Sequence, residues 1–188
     1  MRRSSWRMSA LPALLALCAL ASSRPAAAAG GLTGLDAMSA TVMQEGQSSF
    51  SGLGLRARLA SVRLVPGVEI MPSVEYWRNR STVQPFGIET SRRDATLAVD
   101  ARYAFRREAW SPYVGAGFGL HFLSSEVHAP ALGLDREQDS VVKGGLAALG
   151  GVTFPITNRV HNFIELKYHH VTEYRQLKIN WGLSFDLR

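Results

Sequence analysis

The sequence predicts an all-β protein: an eight-stranded antiparallel up-and-down transmembrane β-barrel behind an export leader. Three observations carry this expectation. From about residue 36 onward the apolar period is two rather than 3.6, the mark of strands with one greasy face. Most of the alternating segments run about 9 to 14 residues. That exceeds the ~5–6 usual in soluble sheets and matches the ~9–11 that a tilted membrane strand needs. The segments number eight, an even count and the smallest used by single-chain bacterial barrels.

The leader comes first. Residues 1–29 have the form of a secretory signal peptide, leaving 30–188 as one barrel domain. Arg2, Arg3 and Arg7 supply a positive start, Ala10 to Ala21 a short apolar run, and Ala26 to Ala29 small residues for cleavage before Gly30. The apolar run falls short of the ~20 residues of a spanning helix. Cys18, the only cysteine, lies inside it and follows Leu17 rather than a small residue, so it is not a lipoprotein site. A mature chain without a thiol excludes disulfide scaffolds, thiolate metal centres and cysteine nucleophiles.

The leader also distorts the charge. The whole chain carries 21 basic and 15 acidic residues, net +6. Removing Arg2, Arg3, Arg7 and Arg24 leaves 21 − 4 = 17 basic residues, and 17 − 15 = +2. The basic balance thus reflects export, and nucleic acid is not an expected partner. A mean hydropathy of −0.01 with 46% hydrophobic residues excludes both a disordered acidic chain and a bundle of membrane helices.

Each strand is justified in turn. The alternation is faintest in about 35–44. In 51–60, Leu53, Leu55, Ala57 and Leu59 oppose Gly52, Gly54, Arg56 and Arg58. In 67–77, Val68, Ile70, Val74 and Tyr76 oppose Glu69, Ser73 and Glu75, with Pro72 expected to mark a bulge. In 94–105, Leu97, Val99 and Tyr103 alternate with Asp94, Asp100 and Arg102. In 112–122, Val114, Phe118, Leu120 and Phe122 alternate with Tyr113, Gly115, Gly117, Gly119 and His121. Segment 141–154 keeps Val142, Leu146, Ala148, Val152 and Phe154 in phase. In 162–172, Ile164, Leu166 and Tyr168 oppose Glu165, Lys167 and His169. In the last segment Leu177, Ile179, Trp181, Leu183, Phe185 and Leu187 share one face.

The connections alternate as well. Those at about 78–92 and 124–140 read as long exposed loops, those at 60–66, 106–111 and 155–160 as short periplasmic turns, the membrane-barrel habit. Phe105, Trp110, Tyr113, Phe154 and Phe185 on the short-turn side, and Tyr76, Trp77, Phe122 and Tyr174 on the other, suggest two interfacial aromatic belts. Alternation is shared with soluble barrels of the lipocalin kind, which bury the apolar face instead. The apolar face, nearly free of charge across six segments, and the many glycines on the polar face favour lipid outside.

The polar face supplies the candidate residues. Arg56, Arg58, Arg102, Lys143, Lys167 and Lys178 share it with Glu69, Glu75, Asp100, Glu165 and Asp186, nearly cancelling in charge. Charges withdrawn from water need partners, and eight strands enclose room only for side chains. The expectation is an ion-paired plug, with a narrow charged pore as the alternative. Arg78, Arg80, Arg92 and Arg93 flank the first long connection at the height of lipid phosphates, which arginine grips as a fork, making them candidate lipopolysaccharide contacts. Glu126, Asp135, Glu137 and Asp139 form an acidic stretch whose irregular spacing suits a solvated loop better than a cation site. Gly115, Gly117 and Gly119 follow the strand period and are no nucleotide cradle. No cofactor and no metal cluster is expected.

The wording PYVGAGFGLHF (Pro112 to Phe122) and NFIELKYHHVTEYRQLKINWGLSFDL (Asn162 to Leu187) resembles the small outer-membrane β-barrel family of the OmpA/OmpX type. The resemblance implies a monomeric barrel in a bacterial outer membrane, in contact with lipid and lipopolysaccharide, with a structural or surface-interaction role and no enzymatic one. Chains of this family often finish on a terminal Phe; here Phe185 precedes Asp186, Leu187 and Arg188. A fainter likeness sets an enzymatic alternative beside it. Tyr168-His169-His170-Val171-Thr172 resembles the His-x-Ser motif of PagL-type lipid A deacylases, which would cast His170 and Thr172 as a catalytic pair. Thr stands for Ser, Glu173 for the Asn that follows, and no orienting acid lies on the lipid face of 176–187.

Overall fold

The computed structural model describes residues 31–44, 49–60, 67–83, 88–105, 110–129, 134–171 and 174–187. The leader read at 1–29 lies outside the described residues. Eight strands follow one another: β1 (Leu32–Gln44), β2 (Phe50–Leu59), β3 (Val68–Val83), β4 (Ile88–Ala104), β5 (Ser111–Ala129), β6 (Leu134–Pro155), β7 (Val160–Val171) and β8 (Tyr174–Asp186). Each pairs antiparallel with its sequence neighbours. β1 closes on β8 from Gly34 opposite Asp186 to Gln44 opposite Gln176. Closure removes the free sheet edge, so each strand has a hydrogen-bonded neighbour on both sides.

The apolar phase of the strands points outward. Leu53 and Leu146 are 69% and 65% exposed, and Phe118, Val99, Leu166, Trp181 and Leu183 also stand on the outside. Arg56, Arg102, Glu75, Asp100 and Lys167 are buried inside. A water-soluble barrel has the opposite arrangement, so the lipocalin-like alternative is overturned. The exterior is a surface for hydrocarbon, the interior a polar core.

Two ends can be told apart. One carries the short connections between β2 and β3, β4 and β5, and β6 and β7. There Gly67 takes φ +86°, a backbone state that favours glycine, under the Tyr103 ring. Thr157 Oγ1 accepts from the amides of Arg159 (3.2 Å) and Val160 (3.0 Å) to shape the β6–β7 turn. At the other end β3 to β6 run on far beyond the remaining strands, reaching 16, 17, 19 and 22 residues.

That extension corrects the long-loop expectation. Most of 78–92 is paired strand, with Arg78 opposite Arg93 and Val83 opposite Ile88. Most of 124–140 is likewise a β5–β6 ladder, from Ser124 opposite Ser140 to Ala129 opposite Leu134. A ribbon standing in water on both faces has no reason to alternate, so its strands leave no period-two trace. The Pro72 bulge is also corrected. Register runs unshifted from Met71–Asp100 through Pro72–Val99, and what is lost is pairing toward β2 around Pro72. Trp77, Tyr113 and Tyr174, expected in the aromatic belts, lie in the inward phase, the first two 3% and 2% exposed and the third packed on His121, whereas Tyr76, Phe105, Trp110, Phe122, Phe154 and Phe185 are exposed.

An outward position in the middle of the apolar band should not tolerate charge. Phe118→Arg, flanked by Val99 and Leu146, is expected to cost about 2–4 kcal/mol in reversible guanidinium unfolding from lipid vesicles. Thr82→Arg on the projecting ladder should change stability by less than about 0.5 kcal/mol.

Candidate functional site: a filled lumen beneath an open cup

The inward phase of each strand carries the site. Starting at the turn end, Asp36 lies between two arginines. Its Oδ1 accepts from Arg58 Nε (2.9 Å) and Ser184 Oγ (2.7 Å), its Oδ2 from Arg56 Nε (3.0 Å). Arg58 Nη2 also reaches Asp186 Oδ1 (2.6 Å), whose other oxygen contacts His161 Nε2 (3.0 Å). Arg56 Nη1 continues upward to Glu165 Oε2 (2.9 Å), which accepts from Tyr113 Oη (3.0 Å), while Asn180 Nδ2 donates to Oε1 (2.9 Å). Beside this column Arg102 pairs with Glu69 (2.7 Å) and stacks over Tyr113, 4.8 Å from its centroid.

A second cluster lies above. Lys167 Nζ donates to Asp100 Oδ2 (2.6 Å) and Glu75 Oε1 (3.1 Å), and Lys178 Nζ donates to Glu75 Oε2 (2.5 Å). Two cations meet two carboxylates, so the cluster is neutral. Glycines make room for it: a Cβ on Gly117 would collide with the Asp100 carboxylate, and one on Gly151 would lie 2.6 Å from the Tyr113 hydroxyl. A pocket of about 10 Å³, enough for roughly one water, remains between Met38, Gly54, Trp77 and Lys178.

Higher still, Asp94 Oδ2 meets His121 Nδ1 (2.8 Å), and Thr96 Oγ1 donates to Asp94 Oδ1 (3.1 Å). His169 stands edge-on to His121. Above this layer the barrel opens into a cup of about 230 Å³, bounded by Gln44, Trp77, Arg92, Leu123, Asp139 and Tyr174. Trp77 at its edge belongs to an apolar cluster with Ala40, Val42 and Phe50, its ring 4.4 Å from that of Phe50.

The structure thus gathers Arg56, Arg58, Glu69, Glu75, Asp100, Arg102, Glu165, Lys167, Lys178 and Asp186 inside. Lys143 shares the inward phase, opposite His121, and is half-buried. Missed were Asp36, hidden in the faintest strand, and the Asp94–His121–His169 layer. Its signal was present: Asp94, His121 and His169 all fall on the polar phase. The arginines divide. Arg78, Arg80 and Arg93 occupy outward positions, Arg93 paired with Glu126 (2.9 Å), whereas Arg92 falls in the inward phase; both Arg92 and Arg93 border the cup. Glu126 and Asp139 lie on opposite faces of the ladder, and the side chains of Asp135 and Glu137 lie outside the described residues. His170 is exposed on the exterior; Thr172 lies outside the described residues. Among the described residues, no three or more His, Cys, Asp or Glu side chains are placed together to hold a metal ion.

A closed eight-stranded barrel with an apolar exterior and an ionic interior defines the outer-membrane class of small β-barrels. The solved structures it resembles belong to that class. Neisserial surface protein A superposes with TM-score 0.61 at 18% identity, covering 84% of this chain and 99% of that one. The Thermus thermophilus major outer membrane protein gives 0.60 at 12% identity, covering 84% and 100%. Ail, the attachment invasion locus protein of Yersinia pestis, gives 0.57 at 13% identity, covering 85% and 99%. No family model matches the chain, and no curated protein matches it in sequence.

Glu75 is the shared acid of both lysines, which makes it the sharpest probe of the interior. Glu75→Gln should lower unfolding stability by about 3–5 kcal/mol, the usual result of leaving a buried charge unpaired. Adding Lys178→Met should recover part of that loss, a positive coupling readable in a double-mutant cycle.

Proposed function

We propose that this chain is an exported protein of the bacterial outer membrane whose lumen is closed to solutes and whose role, structural or in surface interaction, is exercised at the projecting end. The observation that carries the reading is the neutral Lys167–Lys178–Glu75–Asp100 cluster spanning the barrel interior. A solute crossing it would have to separate paired charges in a low-dielectric cavity, and no single pair could open without stranding its neighbour.

The partner at the rim is lipopolysaccharide. Arg78 and Arg93 sit directly opposite each other and Arg80 lies two residues on, all outward and just beyond the apolar band. Guanidinium forks at that height suit lipid phosphates. Among the described residues the strand partners of His170 are Leu146 and Arg175, neither of them an acid or a serine, and this speaks against the deacylase reading.

Reconstituted in planar bilayers, the protein should show no steady conductance, and a stable channel would overturn the closed lumen. The triple variant Arg78→Ser, Arg80→Ser, Arg93→Ser should bind lipopolysaccharide micelles more weakly and with a shallower salt dependence. Unchanged binding and salt slope would remove the phosphate contact.

A further inference from the structure

We propose that His121 and His169 form a site for a borderline divalent transition-metal cation of the Zn²⁺ class, set between the ion-paired lumen and the cup.

The argument begins with charge. Asp94 is fully buried, and its partners are Thr96 and His121. The lysines below are paired with Glu75 and Asp100. A neutral His121 would leave the Asp94 carboxylate uncompensated out of water, which is costly. A cation beside it would offset that cost.

The hydrogen bonding says where. A carboxylate only accepts, so His121 Nδ1 donates to Asp94 and the lone pair is on Nε2. Nε2 is buried and has no partner. This is the carboxylate–histidine arrangement that orients a metal-ligating imidazole and raises its basicity. A proton on Nε2 would supply the charge instead, but it would make that nitrogen a buried donor facing no acceptor.

The second imidazole completes the case. Both ring nitrogens of His169 are buried and unpartnered. The two ring centroids are 5.2 Å apart at 87°. Two imidazoles on one tetrahedral ion with N–metal bonds of about 2.0–2.1 Å have their centres roughly 5 Å apart. Gly119 and Gly145 face each other in register beside His121. A Cβ on either would lie 3.6 or 3.4 Å from His121 Nε2. Tyr174 packs on His121 at 6.1 Å, borders the cup, and has an unpartnered hydroxyl, so it marks the way in and offers a further oxygen. With two nitrogen ligands and the rest of the shell from solvent or Tyr174, the site is open and exchangeable rather than a closed four-ligand centre.

The test uses tag-free, folded protein in detergent micelles near neutral pH, titrated with Zn²⁺ alone by calorimetry. One ion should bind per chain. His169→Gln, which breaks no hydrogen bond, should weaken binding about tenfold or more, and Asp94→Asn about 10–100-fold, the usual loss on removing such an orienting carboxylate. The double variant His161→Gln, His170→Gln should bind as the parent does. Retained heat-modifiable gel migration certifies that each variant is folded. The proposal is overturned if the folded parent shows no saturable binding, or if His169→Gln and Asp94→Asn leave it unchanged. It is equally overturned if the nitrogen NMR shifts of His121 show both ring positions protonated in excess Zn²⁺, since a proton would then be the compensating charge.

Discussion

Hydrocarbon offers no hydrogen-bond partner, and that requirement governs the rest of the molecule. Backbone groups crossing lipid must find their partners in neighbouring strands, so the sheet has to close. With eight strands, closure leaves an interior only as wide as the side chains that fill it. Arg56, Lys167 and Lys178 therefore cannot extend into water and must meet Asp36, Glu165, Glu75 and Asp100 across the barrel. The ionic interior follows from the greasy exterior by geometry.

The same geometry explains how much was legible in the sequence. β8 could be read almost residue by residue because both of its faces are constrained, one by lipid and one by the crowded lumen. Trp181 and Leu183 had to be apolar, Lys178 and Asn180 polar. β1 was faint because its outward positions include Ala37, Ser39 and Thr41, so Asp36 passed unnoticed although it binds two arginines. The projecting ladders were invisible for the opposite reason: beyond the apolar band neither face is selected for hydrophobicity.

Aromatic residues show where residue type alone misleads. Trp77 and Tyr113 have the composition of interfacial anchors, yet the strand phase sends both inside. There Tyr113 donates to Glu165 and lies beneath Arg102, and Trp77 packs on Phe50. Phase outranks chemistry in a barrel, because a one-residue shift moves a side chain from lipid to lumen. Pairings between distant strands, such as Lys167 with Glu75, carry no local trace in the sequence and emerge only from closure.

The unequal strand lengths give the mouth a direction. β3 to β6 rise as a tall screen along one half of the rim, while β1, β2, β7 and β8 stop low. The cup sits at the foot of that screen, bordered by Gln44 and Tyr174 on the low side and by Arg92, Leu123 and Asp139 on the high one. Anything reaching the buried histidines from outside would therefore arrive obliquely, over the low lip, with one flank already pressed against the screen.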